Sequence, residues 1–287
     1  MYAVAGVSGN TGSVVAEELL RRGKEVRVLV RDEEKGRPWT AKGAEVAVAS
    51  LEDAEALGRA LTGVEGAYLL NPPDMTATDA IARARRIGDV FATAIRTSGV
   101  PHVVLLSSIG AQHDSGTGPI RGVHEIEQRL LPLGINFTFL RPTFFIENWG
   151  ASLAPAAQDG VLPSFLPAEL QFPQIATKDI GLFAAEALLH PPTGTRILEL
   201  AGPEEYSATD IANAVGSVLG KSVTVGVGPL EAVVPAYMSF GISENVASLF
   251  REMYEGLING RVAWDQTGER KRGRTTPAEV LRPMLGR

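Results

Sequence analysis

Short apolar runs alternate with amphipathic segments along the first half of the chain, and this alternation predicts strands and helices in turn. A strand over 2–5 is followed by a helix that ends at Gly23 and by a second strand over 25–30. Further strands are predicted over 45–49, 66–70, 103–106 and 136–140. Helices are predicted over 51–61, 78–98 and roughly 119–133. Alternation of this length is typical of a parallel sheet covered by helices on both faces.

The alternation breaks down from Trp149 onward, where proline and glycine become frequent. Helices are predicted over 179–189, 208–219 and 243–259, and strands are candidates over 196–200 and 222–226. The run over 271–274 is interpreted as a solvated basic turn. We therefore predict an α/β fold, with a doubly wound parallel sheet in residues 1–150 and a smaller α+β domain in residues 151–287. The second domain would act as a lid, and one strand or helix of it can return to the first domain.

Composition narrows the class of protein. The chain has 287 residues, 45% of them hydrophobic, which is enough for a sizeable core. A formal net charge of −6 argues against nonspecific binding to nucleic acid, which needs a basic face. The absence of cysteine excludes disulfides, thiolate chemistry and cysteine-ligated metals, and we expect no metal site. With no basic leader or long apolar segment at the start of the sequence, we expect a cytoplasmic protein without membrane contact. A monomer or a homodimer is expected.

A glycine-rich turn after the first strand predicts a dinucleotide site. Gly6, Gly9 and Gly12 stand three residues apart, immediately before a helix. Gly6 suits a tight turn, Gly9 lets the main chain approach a pyrophosphate, and Gly12 lets the helix pack closely on the strand. The N–H groups and partial positive charge at the helix N-terminus would face the phosphates, with Ser8, Asn10 and Thr11 beside them.

The end of the second strand indicates which dinucleotide binds. Arg31 occupies the position that meets the adenosine ribose, and Lys35 and Arg37 follow it. A basic group there matches a 2′-phosphate, so NADP(H) is favoured over NAD(H). Asp32 keeps NAD(H) open as the alternative, because an acidic residue selects the free 2′-hydroxyl.

Other candidate ligand contacts follow from the sheet itself. In open parallel sheets, ligands bind beyond the carboxyl ends of the strands. The residues that the sequence places at the ends of later strands are Ser50, Asn71, Pro72, Ser107, Pro142, Thr143 and Phe144.

The segment Leu140-Arg141-Pro142-Thr143-Phe144-Phe145-Ile146-Glu147-Asn148-Trp149, together with the glycine triplet and Ser107-Ser108, resembles the NmrA-like branch of the atypical short-chain dehydrogenases/reductases. Later segments fit as well, at 177–181, 200–204 and 267–276. The resemblance implies an NADP(H)-binding Rossmann domain with a small C-terminal substrate domain. It leaves the reaction open, because members include reductases of quinones, azo dyes and triphenylmethane dyes, and also redox sensors that act through a partner protein.

The usual proton donor of short-chain dehydrogenases is absent. Those enzymes place Tyr-x-x-x-Lys on one helix, where the lysine lowers the pKa of the tyrosine. The matching helix here, roughly 119–133, contains neither residue type, which argues against ordinary alcohol oxidation and against a nucleotide-sugar epimerase. Reduction of an electron-poor acceptor needs less help from the protein. The main hypothesis is therefore an NADPH-dependent reductase of a quinone or similar small molecule, and the alternative is a dinucleotide sensor.

His124 is the best remaining proton donor, because a histidine can release a proton near neutral pH. Many relatives place a Lys or His one residue earlier, where this chain has Val123, and a surface role for His124 is the alternative. His113 is the second candidate. Ser107 is expected to hydrogen-bond the nicotinamide amide or a substrate carbonyl, or to act only as a turn residue.

Aromatic residues after the sixth strand are candidates for substrate binding. Phe144, Asn148 and Trp149 could line the space over the nicotinamide and accept a flat aromatic molecule, or form core between the domains. Phe145 is expected in the core. Arg141 is expected to pair with a carboxylate such as Glu147 in a structural role. Two further histidines, His102 and His190, are interpreted as turn residues.

Overall fold

The computed structural model describes residues 1–265 and 267–287. Within these ranges, most of the strands belong to one parallel sheet. The strands in chain order are β1 (Tyr2–Val4), β2 (Val26–Val30), β3 (Glu45–Val48), β4 (Gly66–Leu70), β5 (His102–Leu106), β6 (Asn136–Pro142), β7 (Phe144–Phe145), β8 (Val161–Ser164), β9 (Phe172–Ile175), β10 (Thr195–Ala201), β11 (Glu205–Tyr206), β12 (Thr224–Val227) and β13 (Glu269–Arg272). The large sheet has the order β13-β10-β6-β5-β4-β1-β2-β3. Its order reverses beside β1, which is the topological switch point where such sheets bind ligands.

Helices cover both faces of this sheet. The helices are α1 (Asn10–Arg21), α2 (Arg37–Ala41), α3 (Ala54–Leu61), α4 (Ala80–Ser98), α5 (Ile120–Leu130), α6 (Gly150–Asp159), α7 (Thr177–Leu189), α8 (Ala208–Leu219), α9 (Val233–Ser239), α10 (Glu244–Ile258) and α11 (Pro277–Met284). On one face, Val4 of β1 packs with Leu19 of α1 and Ile180 of α7. On the other, Ala3 packs with Phe91 of α4 and Ile126 of α5. Neighbouring strand residues enter opposite cores because side chains alternate along a strand. The predicted doubly wound α/β fold is confirmed.

Three elements that follow residue 150 join the large sheet and its helix layer. β10 pairs with β6, β13 pairs with β10, and α7 packs against α1. The strands predicted over 196–200 and 222–226 are confirmed as β10 and β12. The interpretation of the run over 271–274 as a turn is wrong for its first half, because Lys271 and Arg272 lie in β13. Strand β13 is at the edge of the sheet, where basic side chains discourage pairing with another chain.

His102 also differs from its interpretation as a turn residue. It lies within β5 and is 1% exposed, and its Nε2 is 3.1 Å from Thr138 Oγ1. Burial lowers the pKa of His102 to about 4, and the nearby charge of Arg196 acts in the same direction. His102 is therefore a neutral core residue.

The remaining C-terminal elements form a smaller unit with its own apolar core. Trp149, Leu153 of α6, Phe172 of β9 and Ile211 of α8 contribute to this core. Two small sheets support it, with orders β11-β9-β7 and β12-β8. A domain division at residue 150 stays a prediction. In the described ranges, no helix has both the length and the apolar character needed to cross a membrane.

Candidate functional site

The glycine-rich turn between β1 and α1 has distinct steric requirements at its three glycines. Gly6 has φ of +69°, a conformation that glycine adopts readily. A Cβ on Gly12 would lie 2.4 Å from the carbonyl oxygen of Ala5, so only glycine lets α1 pack this closely on β1. A Cβ on Gly9 would meet one backbone oxygen, at 3.3 Å, and otherwise open space. The turn thus leaves one side free for a ligand's approach.

The N-terminus of α1 is not capped by a side chain. Its N-cap residue is Gly9, and its first turn contains no acidic residue. By contrast, side chains of Asp53, Asp79, Ser207 and Ser243 cap the N-termini of α3, α4, α8 and α10. The backbone N–H groups of the first turn of α1 are therefore available to an anion such as a pyrophosphate.

A cleft of about 340 Å³ runs from this turn along the ends of β2, β3 and β4. Of the predicted cofactor residues, those that line it are Gly6, Ser8, Gly9, Thr11, Arg31, Ser50 and Pro72. Thr11 Oγ1 accepts a hydrogen bond from the Tyr68 hydroxyl at 2.9 Å and keeps its own O–H for a further partner. Asn10 lines a different groove, beside α7 and α11.

Arg31 is exposed on the wall of this cleft and forms no ion pair with any residue that the structure describes. Lys35 also lines the cleft, with its Nζ 3.4 Å from Asp32 Oδ2, whereas Arg37 does not line the cleft and lies 3.9 Å from Glu34. The Asp32 carboxylate accepts a hydrogen bond from the Lys35 N–H at 3.0 Å, which lowers the pKa of Asp32. Asp32 is thus turned toward its own loop, and the cleft wall is basic, as a 2′-phosphate requires.

A second cavity, of about 170 Å³, lies beyond the ends of β5 and β6. Thr143 lines it and is 3% exposed, and its Oγ1 has no hydrogen-bond partner among the described residues. A buried hydroxyl in this position fits a ligand amide. Pro142 contributes no free group here, because its carbonyl accepts the Ile109 N–H at 2.9 Å. Asn71 and Pro72 border a smaller cavity of about 100 Å³.

Ser107 belongs to a buried network of charged side chains at the ends of β5 and β6. Its Oγ donates to Glu127 Oε1 at 2.5 Å, and it is 5% exposed. The Arg141 guanidinium binds both oxygens of Glu127, at 3.1 and 2.6 Å, and Asp265 Oδ2 at 2.9 Å. Because the proton of Ser107 is directed to Glu127, Ser107 is not placed to donate to a substrate carbonyl. Ser107 is not among the residues that line the 170 Å³ cavity, so its contact with a cofactor stays a prediction.

The expected pairing of Arg141 with a carboxylate is confirmed, but Glu147, named as its example, is not the partner. Glu147 Oε1 instead accepts from the backbone N–H and the hydroxyl of Thr177, at 2.9 and 2.6 Å, at the start of α7. Sequence reasoning did not identify Glu127 as a partner of Arg141. Its signal was its spacing, since Glu127 lies four residues after Val123 and three before Leu130, on the packing face of α5.

The two candidate histidines occupy neighbouring segments. His124 Nδ1 is 2.8 Å from the carbonyl oxygen of Ala111, so in the neutral ring Nδ1 carries the hydrogen and Nε2 can only accept. His124 can therefore donate through Nε2 only as an imidazolium. His113 lies in the loop after β5, and burial lowers its pKa. The structure leaves the role of both residues as a prediction.

A third cavity, of about 430 Å³, is lined by Phe144, Asn148 and Trp149 and by residues of α6, α9 and α10. Phe144 and Asn148 line both this cavity and the 170 Å³ cavity, so the two adjoin. Trp149 lines this cavity and also belongs to the apolar core of the smaller unit. It is 5% exposed, and its Nε1 donates to Gln174 at 2.8 Å. Phe145 packs on the large sheet. We call the 430 Å³ space the aromatic cavity.

In the part of the chain that the structure describes, no cluster of ligating side chains could hold a metal.

Comparisons with known proteins agree with this architecture. The NmrA-like family model matches residues 2–266. The NAD(P)H azoreductase of Xenophilus azovorans is 29% identical over 257 residues, which are 88% of this chain and 86% of the relative. Quinone oxidoreductase 2 of Escherichia coli strain K12 is 26% identical over 265 residues, 91% of this chain and 89% of the relative. The crystal structure of an NADPH-dependent quinone oxidoreductase from E. coli, complexed with NADPH, has a TM-score of 0.82 at 25% identity and covers 99% of this chain and 100% of that one.

Proposed function

The chain belongs to the NmrA-like family, and we propose that it is an NADPH-dependent reductase of a quinone or a similar conjugated small molecule. The observation that carries the proposal is the junction of two spaces at Phe144 and Asn148. One lies at the strand ends where a nicotinamide would bind, and the other is an apolar cavity large enough for a flat aromatic acceptor. Relatives named as an azoreductase and a quinone oxidoreductase, similar over most of their length, support it.

The residues of the first cleft fit NADPH. The N–H groups at the start of α1 would bind the pyrophosphate, and Arg31 with Lys35 would bind the 2′-phosphate. Thr143 Oγ1, which belongs to a residue lining the second cavity, is a hydrogen-bond acceptor available to the carboxamide N–H groups at the nicotinamide end. When bound, NADPH supplies a hydride. NAD(H) is the less favoured cofactor because it would leave Arg31 without a partner.

The protein's own part in the reaction is to position the acceptor and exclude water. Phe144 and Trp149, whose ring centroids are 6.2 Å apart, would hold the acceptor's flat face over the junction. The final proton would come from the imidazolium form of His124 or from solvent. An acceptor that forms a stable anion after hydride addition needs no strong acid, which is consistent with the missing Tyr-x-x-x-Lys pair.

The test combines cofactor binding with turnover. We expect calorimetry to show tighter binding of NADPH than of NADH, and the absorbance of NADPH to fall when quinones or azo dyes are added. Ala151→Trp should fill the aromatic cavity and abolish turnover while NADPH binding stays unchanged, because Ala151 lines that cavity. Ala157→Trp is the matched control, since Ala157 is exposed on the same helix away from the cavity.

Three outcomes would contradict the proposal. Tight NADPH binding without turnover across the panel would favour a dinucleotide sensor that acts through a partner protein, which the missing Tyr-x-x-x-Lys pair also suits. Equal loss of turnover in Ala151→Trp and Ala157→Trp would mean that the loss does not come from filling the aromatic cavity. Absence of NADPH binding would refute both functions.

A further inference from the structure

The polar groups that face the aromatic cavity are nearly all satisfied within the protein. Ser152 Oγ donates to the carbonyl of Pro163 at 2.8 Å, and Ser164 Oγ donates to that of Leu166 at 2.9 Å. Trp149 Nε1 has Gln174 as its acceptor. The remaining polar lining comes from Asn148, at the junction with the second cavity, and from two tyrosines.

The two tyrosines form a hydrogen-bonded pair. Tyr237 of α9 and Tyr254 of α10 both line the aromatic cavity, and their hydroxyl oxygens are 2.7 Å apart. A pair of phenols shares one hydrogen bond, in which one O–H donates and the other oxygen accepts. The second O–H has no acceptor among the residues that the structure describes. The pair thus presents one unused donor to a mostly apolar space.

Packing holds the pair in place. The Phe165 ring centroid lies 6.5 Å from that of Tyr237 and 5.9 Å from that of Tyr254, and the tilted Phe250 ring has its centroid 4.9 Å from that of Tyr237. Burial raises the pKa of both phenols, so both are protonated at neutral pH. A hydrogen bond strengthens when the donor itself accepts another, and it gains further in a low dielectric. The unused O–H is therefore a positioned donor.

We propose that the Tyr237–Tyr254 pair donates a hydrogen bond to an oxygen of the molecule bound in the aromatic cavity. The preferred acceptor is then a flat aromatic molecule that carries a carbonyl or similar oxygen at the end that faces the tyrosine pair. A molecule of the same shape without that oxygen would leave the donor unpaired in an apolar surrounding, which costs affinity. This inference rests on the proposed function for the identity of the cavity's occupant. It adds a hydrogen-bond donor that favours ligands with an oxygen over ligands of the same shape without one.

Binding can be tested without cofactor or turnover, with 9-fluorenone and fluorene as probes that differ in one carbonyl. We expect the double variant Tyr237→Phe/Tyr254→Phe to weaken fluorenone binding by about fivefold, since a neutral hydrogen bond contributes roughly 0.5–1.5 kcal/mol, and to leave fluorene binding unchanged or tighter, because no donor is then left unpaired. Each single variant keeps one free phenol, so the two single variants identify the hydroxyl that reaches the ligand. Tyr206→Phe is the control, because Tyr206 packs in the same core outside the cavity.

A spectroscopic readout uses the unmodified protein, so it does not depend on the folding of any variant. The carbonyl stretch of bound fluorenone should lie at lower frequency than in an apolar solvent. An unshifted stretch would overturn the proposal, as would equal losses of fluorenone and fluorene affinity, which would mean that the pair only ties α9 to α10. Failure of both probes to bind would also overturn it. Carbonyl-dependent binding without turnover on any acceptor would instead refute the proposed reductase and leave the donor role standing.

Discussion

Replacement of Arg31 by glutamine tests the cofactor preference most directly. Arg31 lies exposed on the cleft wall without an ion pair in the described structure, so its charge is free for a ligand. Two unit charges about 4 Å apart interact by about 1 kcal/mol in water and about 4 kcal/mol at an effective dielectric constant of 20. Because the site is exposed, we expect a loss of about 1.5–3 kcal/mol on removal of the guanidinium, or more than tenfold in NADPH affinity.

Calorimetric titration with NADPH and NADH, for the wild type, Arg31→Gln and Arg37→Gln, measures this effect. NADH affinity should change by less than about twofold in Arg31→Gln, since NADH lacks the 2′-phosphate. Arg37→Gln removes an equal charge six residues away that points to Glu34 and does not line the cleft. The loss in Arg31→Gln should also shrink at high salt. Equal losses for both cofactors, or an equal loss in Arg37→Gln, would refute the assignment.

Two further predictions concern the glycine-rich turn and an acid-sensitive ion pair. Gly9→Ala should change the free energy of unfolding by less than about 1 kcal/mol but weaken NADPH binding at least tenfold, whereas Gly12→Ala should destabilise the fold by about 2 kcal/mol or more because its Cβ meets backbone at 2.4 Å. The opposite order of stability in urea titrations would contradict this. Hydrogen bonds from Arg21, and then Arg22, lower the pKa of Glu18 from 4.5 to about 2, so its charged form stabilises the fold above pH 4.5, and this contribution is lost as the pH falls toward 2. Glu18→Gln should therefore flatten the fall in unfolding free energy between pH 5 and pH 2, and parallel curves for the two proteins would exclude the effect.

Features encoded by neighbouring residues could be read directly from the sequence. The strand–helix alternation, the turn at Gly6 and Gly12 and the basic residue at the end of β2 depend on local spacing and backbone geometry. The fold class and the family followed from these features, and the structure and the comparisons confirmed them. Helix and strand limits differed by a few residues, as for α3, which begins after its cap at Asp53.

Features that depend on residues far apart in the chain were decided by the tertiary structure. Lys271 and Arg272 form a strand only because they pair with the edge of β10, whose residues lie 71 positions earlier in the chain. Arg141 pairs with Glu127 and Asp265, although Glu147 is nearer in the sequence. A buried guanidinium needs carboxylates that the tertiary packing places beside it. The Tyr237–Tyr254 pair and the cavity it faces likewise arise where α9 and α10 meet α6. Local periodicity determines which segments are helix and strand, whereas a site lined by several segments exists only once hydrophobic burial has set their arrangement.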